Sequence, residues 1–204
     1  MPETIYSIPI KDAFGRGGCP LCALRAEAEA RSLEYILGGA HMEPSVRAET
    51  NRLGFCAGHM EKMLGMKSRL SLALLLESRM AEMQTGHAPL DGGCYICHRV
   101  SAYEEAYISN TVHLLLTDAE FAAVFRAHSG LCPRHAGALI TAGARLRGAK
   151  RRQLEAAVRA VIAPKLDEAL SNLRAFIKSF DHRSDAPLSE SERAALESAV
   201  RLLG

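Results

Sequence analysis

The chain has 204 residues, 48% hydrophobic and 24% charged, and its 25 basic side chains nearly balance 23 acidic ones for a net charge of +2. That is the composition of an ordinary folding domain or a pair of small ones, with enough apolar residues for a core that needs no disulfides. It gives no whole-chain charge field for nucleic acid or membrane, and the longest strongly apolar stretch, Leu72 to Leu76, is far short of the ~20 residues of a membrane span.

Residues Met1 to Ile10 have no basic start, no apolar h-region and no small-residue cleavage site, so the expectation is a chain without a secretory signal, in a reducing cytoplasm and off the membrane. Six cysteines in that compartment predict metal or redox chemistry in preference to structural disulfides.

In chain order, Cys19-Pro20-Leu21-Cys22 forms a first knuckle, followed by a helix whose Leu24, Ala28, Tyr35 and Ile36 recur at helical spacing. Pro44-Ser45 opens a short helix that ends at Gly54-Phe55-Cys56. A long helix is expected to start at Cys56-x-x-His59 and to bury Met60, Met63, Leu64, Leu70, Leu74 and Met80. Thr85 to Gly93, rich in Gly and Pro, reads as a linker. The pattern then recurs: a Cys94-Tyr95-Ile96-Cys97 knuckle, a helix, a capping box at Thr117-Asp118-Ala119-Glu120 for a short helix ending near His128, a turn at Gly130, and Cys132-x-x-His135. The last third carries an apolar stripe from Leu154 to Phe180, kinked or divided at Pro164, then a polar break at Arg183 to Pro187 and a capped terminal helix from Ser189.

The two halves are a repeat. Cys19 aligns with Cys94, and Glu29 with Glu104, at an offset of 75 residues; after one extra residue Gly54-Phe55-Cys56 and His59 align with Gly130-Leu131-Cys132 and His135. All six cysteines belong to it.

Taken within each repeat, Cys19, Cys22, Cys56 and His59 make one quartet, and Cys94, Cys97, Cys132 and His135 the other. A Cys-x-x-Cys turn aims two sulfurs at one point, and residues three apart at a helix start project to one side, so each set can close a tetrahedral Cys₃His site of the kind that suits Zn²⁺. An alternative pairs Cys19 and Cys22 with Cys132 and His135 across the repeats, and the sequence leaves it open. Two zinc ions per chain are expected.

An iron–sulfur cluster is the main alternative metal, since thiolates hold it as readily. Cys94-Tyr95-Ile96-Cys97-His98 has the form of a haem attachment sequence, but Ala23 stands where the first repeat would need the histidine. A redox dithiol at Cys19 and Cys22 lacks a βαβ context and leaves Cys56 and His59 unexplained. Full quartets offer no open catalytic position, and no Walker loop, dinucleotide fingerprint or nucleophile elbow is present, so no catalytic residue is assigned. His41, His87, His98, His113, His128 and His182 do not recur in the repeat. Glu29 and Glu104 do, either as carboxylates supporting the metal ligands or as solvated or interhelical salt-bridging glutamates.

Between Arg145 and Arg183, ten Lys or Arg face four Asp or Glu. Arg145, Arg147, Lys150, Arg151 and Arg152 form a cluster that can reach nucleic-acid phosphates, but the interleaved aromatics of single-strand binders are missing, which favours a solvated helix face. A protein partner is the first expectation.

The duplicated Cys-x-x-Cys motifs and the Gly-Phe-Cys-x-x-His and Gly-Leu-Cys-x-x-His motifs resemble those of prokaryotic proteins grouped as domain-of-unknown-function family 6062, over about residues 15 to 180. The resemblance implies a cytosolic helical protein with paired metal-type quartets, and no activity. The expected architecture is all-α: two tandem pseudo-symmetric helical units, residues 15–84 and 94–182, each pinned by a Cys₃His metal site and joined by linker 85–93, with a terminal helix over 188–204.

Overall fold

Proline and glycine punctuate this chain into helices. The computed structural model describes residues 5–181 and 187–203. His182 and most of the expected break at Arg183 to Pro187 lie outside the described residues. Those described form eleven α-helices and no strand: α1 Ser7–Phe14, α2 Pro20–Gly38, α3 Pro44–Leu53, α4 Ala57–Gly65, α5 Arg69–Gln84, α6 Tyr95–Thr117, α7 Ala119–Ala127, α8 Pro133–Ala142, α9 Gly148–Lys178, α10 Glu190–Arg193 and α11 Ala195–Leu203. The all-α expectation holds. No helix among them is long and apolar enough to cross a membrane.

Several local readings change. The helix expected to run on from Cys56 breaks after Gly65 and resumes at Arg69, and its counterpart breaks between Ala142 and Gly148, where Gly148 has a φ of +60°. In α5 the buried face is Leu72 and Leu75, whereas Leu70 and Met80 are exposed. A continuous helical period carried through the break at residues 66–68 assigns the wrong face, because the chain restarts with a new rotation. Asp118, not Thr117, caps α7: its Oδ1 accepts from the Phe121 N–H at 2.9 Å, while the Thr117 hydroxyl turns back onto the His113 carbonyl at 2.8 Å. Pro164 neither divides nor ends α9, which runs through it on an exposed face, where water can reach the carbonyl left without a donor. The capping box at Ser189 and Glu192 is present as read.

The chain divides into two compact units whose boundaries fall inside α2 and α6: Arg25 to Glu105, and Met1 to Leu24 together with Ala106 to Gly204. The Arg25–Glu105 unit packs Leu33, Ile36 and Leu37 of α2 against Leu53, Phe55, Met63, Leu72, Leu75, Tyr95 and Ile96. Arg99 lies over the ring of Tyr35 at 4.8 Å, and Arg25 pairs with Glu104 at 3.2 Å. In the other unit α1, which no sequence signal announced, delivers Phe14 edge-on to Phe121 at 5.1 Å. Phe125 lies 5.4 Å from Phe14 as well, and Ile10, Leu131, Leu139, Leu154 and Val158 are also buried in this unit. The long α9 packs against α7, α8, α10 and α11.

Candidate metal centres

Each half-site is built locally. Cys56 and Cys132 are the N-caps of α4 and α8, in extended backbone, so the next turn swings His59 and His135 back over the cysteine sulfurs. Cys19 and Cys94 stand just before α2 and α6, whose first turns carry Cys22 and Cys97. A Cys-x-x-Cys turn at one helix start and a Cys-x-x-His turn at another are the same kind of two-pronged clamp.

The clamps meet across the repeats, not within them. Cys19, Cys22, Cys132 and His135 form one group, and Cys56, His59, Cys94 and Cys97 the other, with the ligand atoms of each within 4.8 Å of one another. All eight expected residues take part, but the within-repeat quartets are corrected: each group takes its Cys-x-x-Cys from one repeat and its Cys-x-x-His from the other. Each group also lies wholly inside one compact unit.

The backbone explains the partner choice. In the Arg25–Glu105 unit the Tyr95 N–H donates to the Gly54 carbonyl at 2.8 Å, tying the start of α6 to the turn before Cys56. Gly54 has a φ of +67°, a conformation side chains rarely adopt, and Gly92 lies so close to the Arg52 carbonyl that a Cβ would collide with it. In the other unit a Cβ on Gly130 would collide with the Gly18 carbonyl, which also accepts from His128 Nε2 at 3.0 Å. His128 thus helps hold the first knuckle, a role its non-recurring position in the repeat did not signal.

The inner distances have the proportions of a single-ion site. His59 Nδ1 is 3.1, 3.3 and 3.4 Å from the sulfurs of Cys56, Cys94 and Cys97, and Cys56 Sγ is 3.9 Å from Cys97 Sγ. His135 Nδ1 is 3.2, 3.3 and 3.4 Å from Cys132, Cys22 and Cys19, and Cys22 Sγ is 3.8 Å from Cys132 Sγ. With metal–sulfur legs of about 2.3 Å and a metal–nitrogen leg of about 2.05 Å, tetrahedral edges are about 3.8 Å and about 3.6 Å. The sulfur–sulfur edges match and the nitrogen–sulfur edges run a few tenths of an ångström shorter, so each group has the donor set and the size to close around one four-coordinate ion.

Their surroundings fit as well. His59 donates through Nε2 to Glu29 Oε1 at 2.8 Å, which leaves the Nδ1 lone pair facing the sulfurs, and Lys62 donates to the same oxygen at 2.7 Å. The Lys62 contact comes first, and the His59 one adds to it, in holding the Glu29 carboxyl below its ordinary range. Both readings of Glu29 have a contact behind them: it is the carboxylate that accepts from His59, and it forms an interhelical salt bridge to Lys62 of α4. Its repeat counterpart Glu104 is the partner of Arg25.

The thiols are electrostatically divided. The His59 backbone N–H facing it lowers Cys56 to about 7. Desolvation, then the neighbouring thiolates, push Cys22 and Cys97 up to about 12, although both residues reach the surface. Three crowded sulfurs resist carrying three negative charges by themselves, and a divalent cation at their centre reverses that balance. His98, the residue behind the haem-like reading, is exposed and outside both groups.

An all-α protein with two duplicated Cys₃His groups, each able to hold a metal ion, is the class that fold and site define. The chain matches the family of unknown function DUF6062 twice, over residues 1–90 and 87–204, and belongs to that family. Comparison with curated proteins and with solved structures gives no match.

Proposed function

We propose that each group holds one Zn²⁺ as a closed structural centre, two per chain, and that the eight cysteine and histidine residues are its ligands. The observation that carries this reading is that each group gathers three sulfurs and one imidazole nitrogen within 4.8 Å of one another, with a sulfur–sulfur edge of 3.8 or 3.9 Å close to that of a tetrahedron around one ion. A polynuclear iron–sulfur cluster places irons and sulfides between the thiolates and needs them spread further apart than the 4.8 Å that contains each group. Three thiolates and a neutral imidazole leave a formal charge of about −1 around a divalent ion. Lys62, reached through Glu29, offsets it at one centre.

A closed structural site has no open position for substrate, so the working part of the molecule is its surface. We assign a protein partner first: Leu166, Leu170 and Ile177 of α9, Phe180 just after it, and Leu196, Val200 and Leu203 of α11 are all exposed. The exposed cations Arg145, Arg147, Lys150, Arg151 and Arg152 are the nucleic-acid alternative. Metal analysis of protein purified without oxygen tests the centres: a colourless protein with zinc at two per chain is expected, and a brown one with iron and sulfide overturns the proposal. Gel shifts at low salt test the partner: retention of RNA or DNA would displace the protein-partner reading.

A further inference from the structure

The basic segment that the metal centres leave unexplained borders a cavity of about 300 Å³ within the unit containing Ala106 to Gly204, near the lower end of the range typical of ligand sites. One wall is a single face of α6, since Ser109, Val112, His113, Leu116 and Thr117 step by three and four residues. The facing wall is the turn after α8 and the first turn of α9, which contribute Arg145, Leu146 and Lys150. Three side chains able to carry positive charge thus converge from separate elements on one cavity, and no Asp or Glu lines it.

The cations are also uncompensated. Arg151, one residue beyond Lys150, donates to Glu155 at 2.8 Å, and Lys11 pairs with Asp118 at 3.0 Å. Arg145 and Lys150 have no such carboxylate among the described residues. Thr117 has committed its hydroxyl proton to the His113 carbonyl, so the free donors are the Ser109 hydroxyl, the His113 ring, the Arg145 guanidinium and the Lys150 ammonium. Between them Val112 is buried, and Leu116 and Leu146 are half-buried.

We propose that this cleft binds a small organic phosphomonoester. Its phosphoryl oxygens are met by Arg145, Lys150, His113 and Ser109, and a short chain or ring lies on Val112, Leu116 and Leu146. A doubly charged tetrahedral group uses more of these donors than a carboxylate can, and the guanidinium fork suits it geometrically. The apolar floor selects an organic ester over inorganic phosphate.

The test is a titration of the full, metal-loaded chain followed by two-dimensional amide NMR, with phenyl phosphate, inorganic phosphate and phenol as probes. Phenyl phosphate is expected to give saturable shifts confined to residues 109–117 and 142–150, inorganic phosphate a weaker version of the same pattern, and phenol none. The Arg145→Ala, Lys150→Ala double variant, checked for unchanged metal content and circular dichroism, should weaken binding by about tenfold or more. The Arg174→Ala, Lys178→Ala variant removes two exposed cations from the same helix and should leave binding unchanged. Absence of saturation, equal weakening in both double variants, or inorganic phosphate binding as tightly as the ester would each overturn the proposal. So would an oligonucleotide whose shifts spread well beyond the cleft at lower concentration.

Discussion

Counting ions in paired variants tests how the half-sites are matched. Cys22→Ser removes a sulfur that lies 3.8 Å from Cys132 Sγ and 3.3 Å from His135 Nδ1. An alkoxide is a poor substitute at such a soft site, so that variant should keep one ion. The paired variants then separate the groupings. Cys22→Ser with Cys132→Ser damages one group twice and should still keep one ion. Cys22→Ser with Cys56→Ser damages both and should keep none. Within-repeat quartets would reverse these two results.

The thermodynamic consequence follows from mass action. At a free metal concentration about a thousandfold above Kd, a centre stabilises the folded state by about 4 kcal/mol. That is a large part of the roughly 5–15 kcal/mol that holds a domain together. Damaging one group a second time should therefore add little, whereas damaging both should cost about twice as much and melt helix. Native mass spectrometry reads the ion count, and circular dichroism during urea unfolding reads the stability. A Cys22→Ser, Cys132→Ser protein with no ion, beside a Cys22→Ser, Cys56→Ser protein with one, would refute the pairing.

Three further outcomes are expected. Glu29→Ala removes the acceptor that orients His59 and should weaken the Cys56, His59, Cys94 and Cys97 centre by about 10–100-fold while sparing the other, as read by stepwise chelator competition. Gly130→Ala places a Cβ against the Gly18 carbonyl and should loosen the Cys19, Cys22, Cys132 and His135 centre first, seen as selective loss of one ion at limiting chelator. Asp118, held below its ordinary 3.8 first by the Phe121 N–H and then by Lys11, should contribute its cap fully above that value and lose it as pH falls through the lowered one. The melting-temperature deficit of Asp118→Ala should thus be equal at about pH 7 and about pH 5, and Asp118→Asn, which keeps a capping oxygen, should show little of it.

Much of this molecule was legible in its sequence because the information is local. Pro44 at a helix start, the Ser189 and Glu192 box, and the duplicated Cys-x-x-Cys and Cys-x-x-His clamps each depend on residues a turn apart. Where a break intervened, as at residues 66–68, the helical phase was lost and Leu72 and Leu75 replaced Leu70 and Leu74 on the buried face. The single face of α6 and the turn before α9 are also far apart in sequence, so the cleft between them left no signal.

The sequence by itself determined the eight cysteine and histidine residues, their helical setting and their division into two-pronged halves. Only the tertiary structure decided which halves meet. The two Cys-x-x-Cys halves offer the same donors as each other, as do the two Cys-x-x-His halves, so spacing carries no preference, and closing a loop about three times longer costs only about 1 kcal/mol in chain entropy. Residues 116 apart, Cys19 and His135, are brought together by close backbone approach at Gly18 and Gly130. Packing of that kind exists only once the chain has folded.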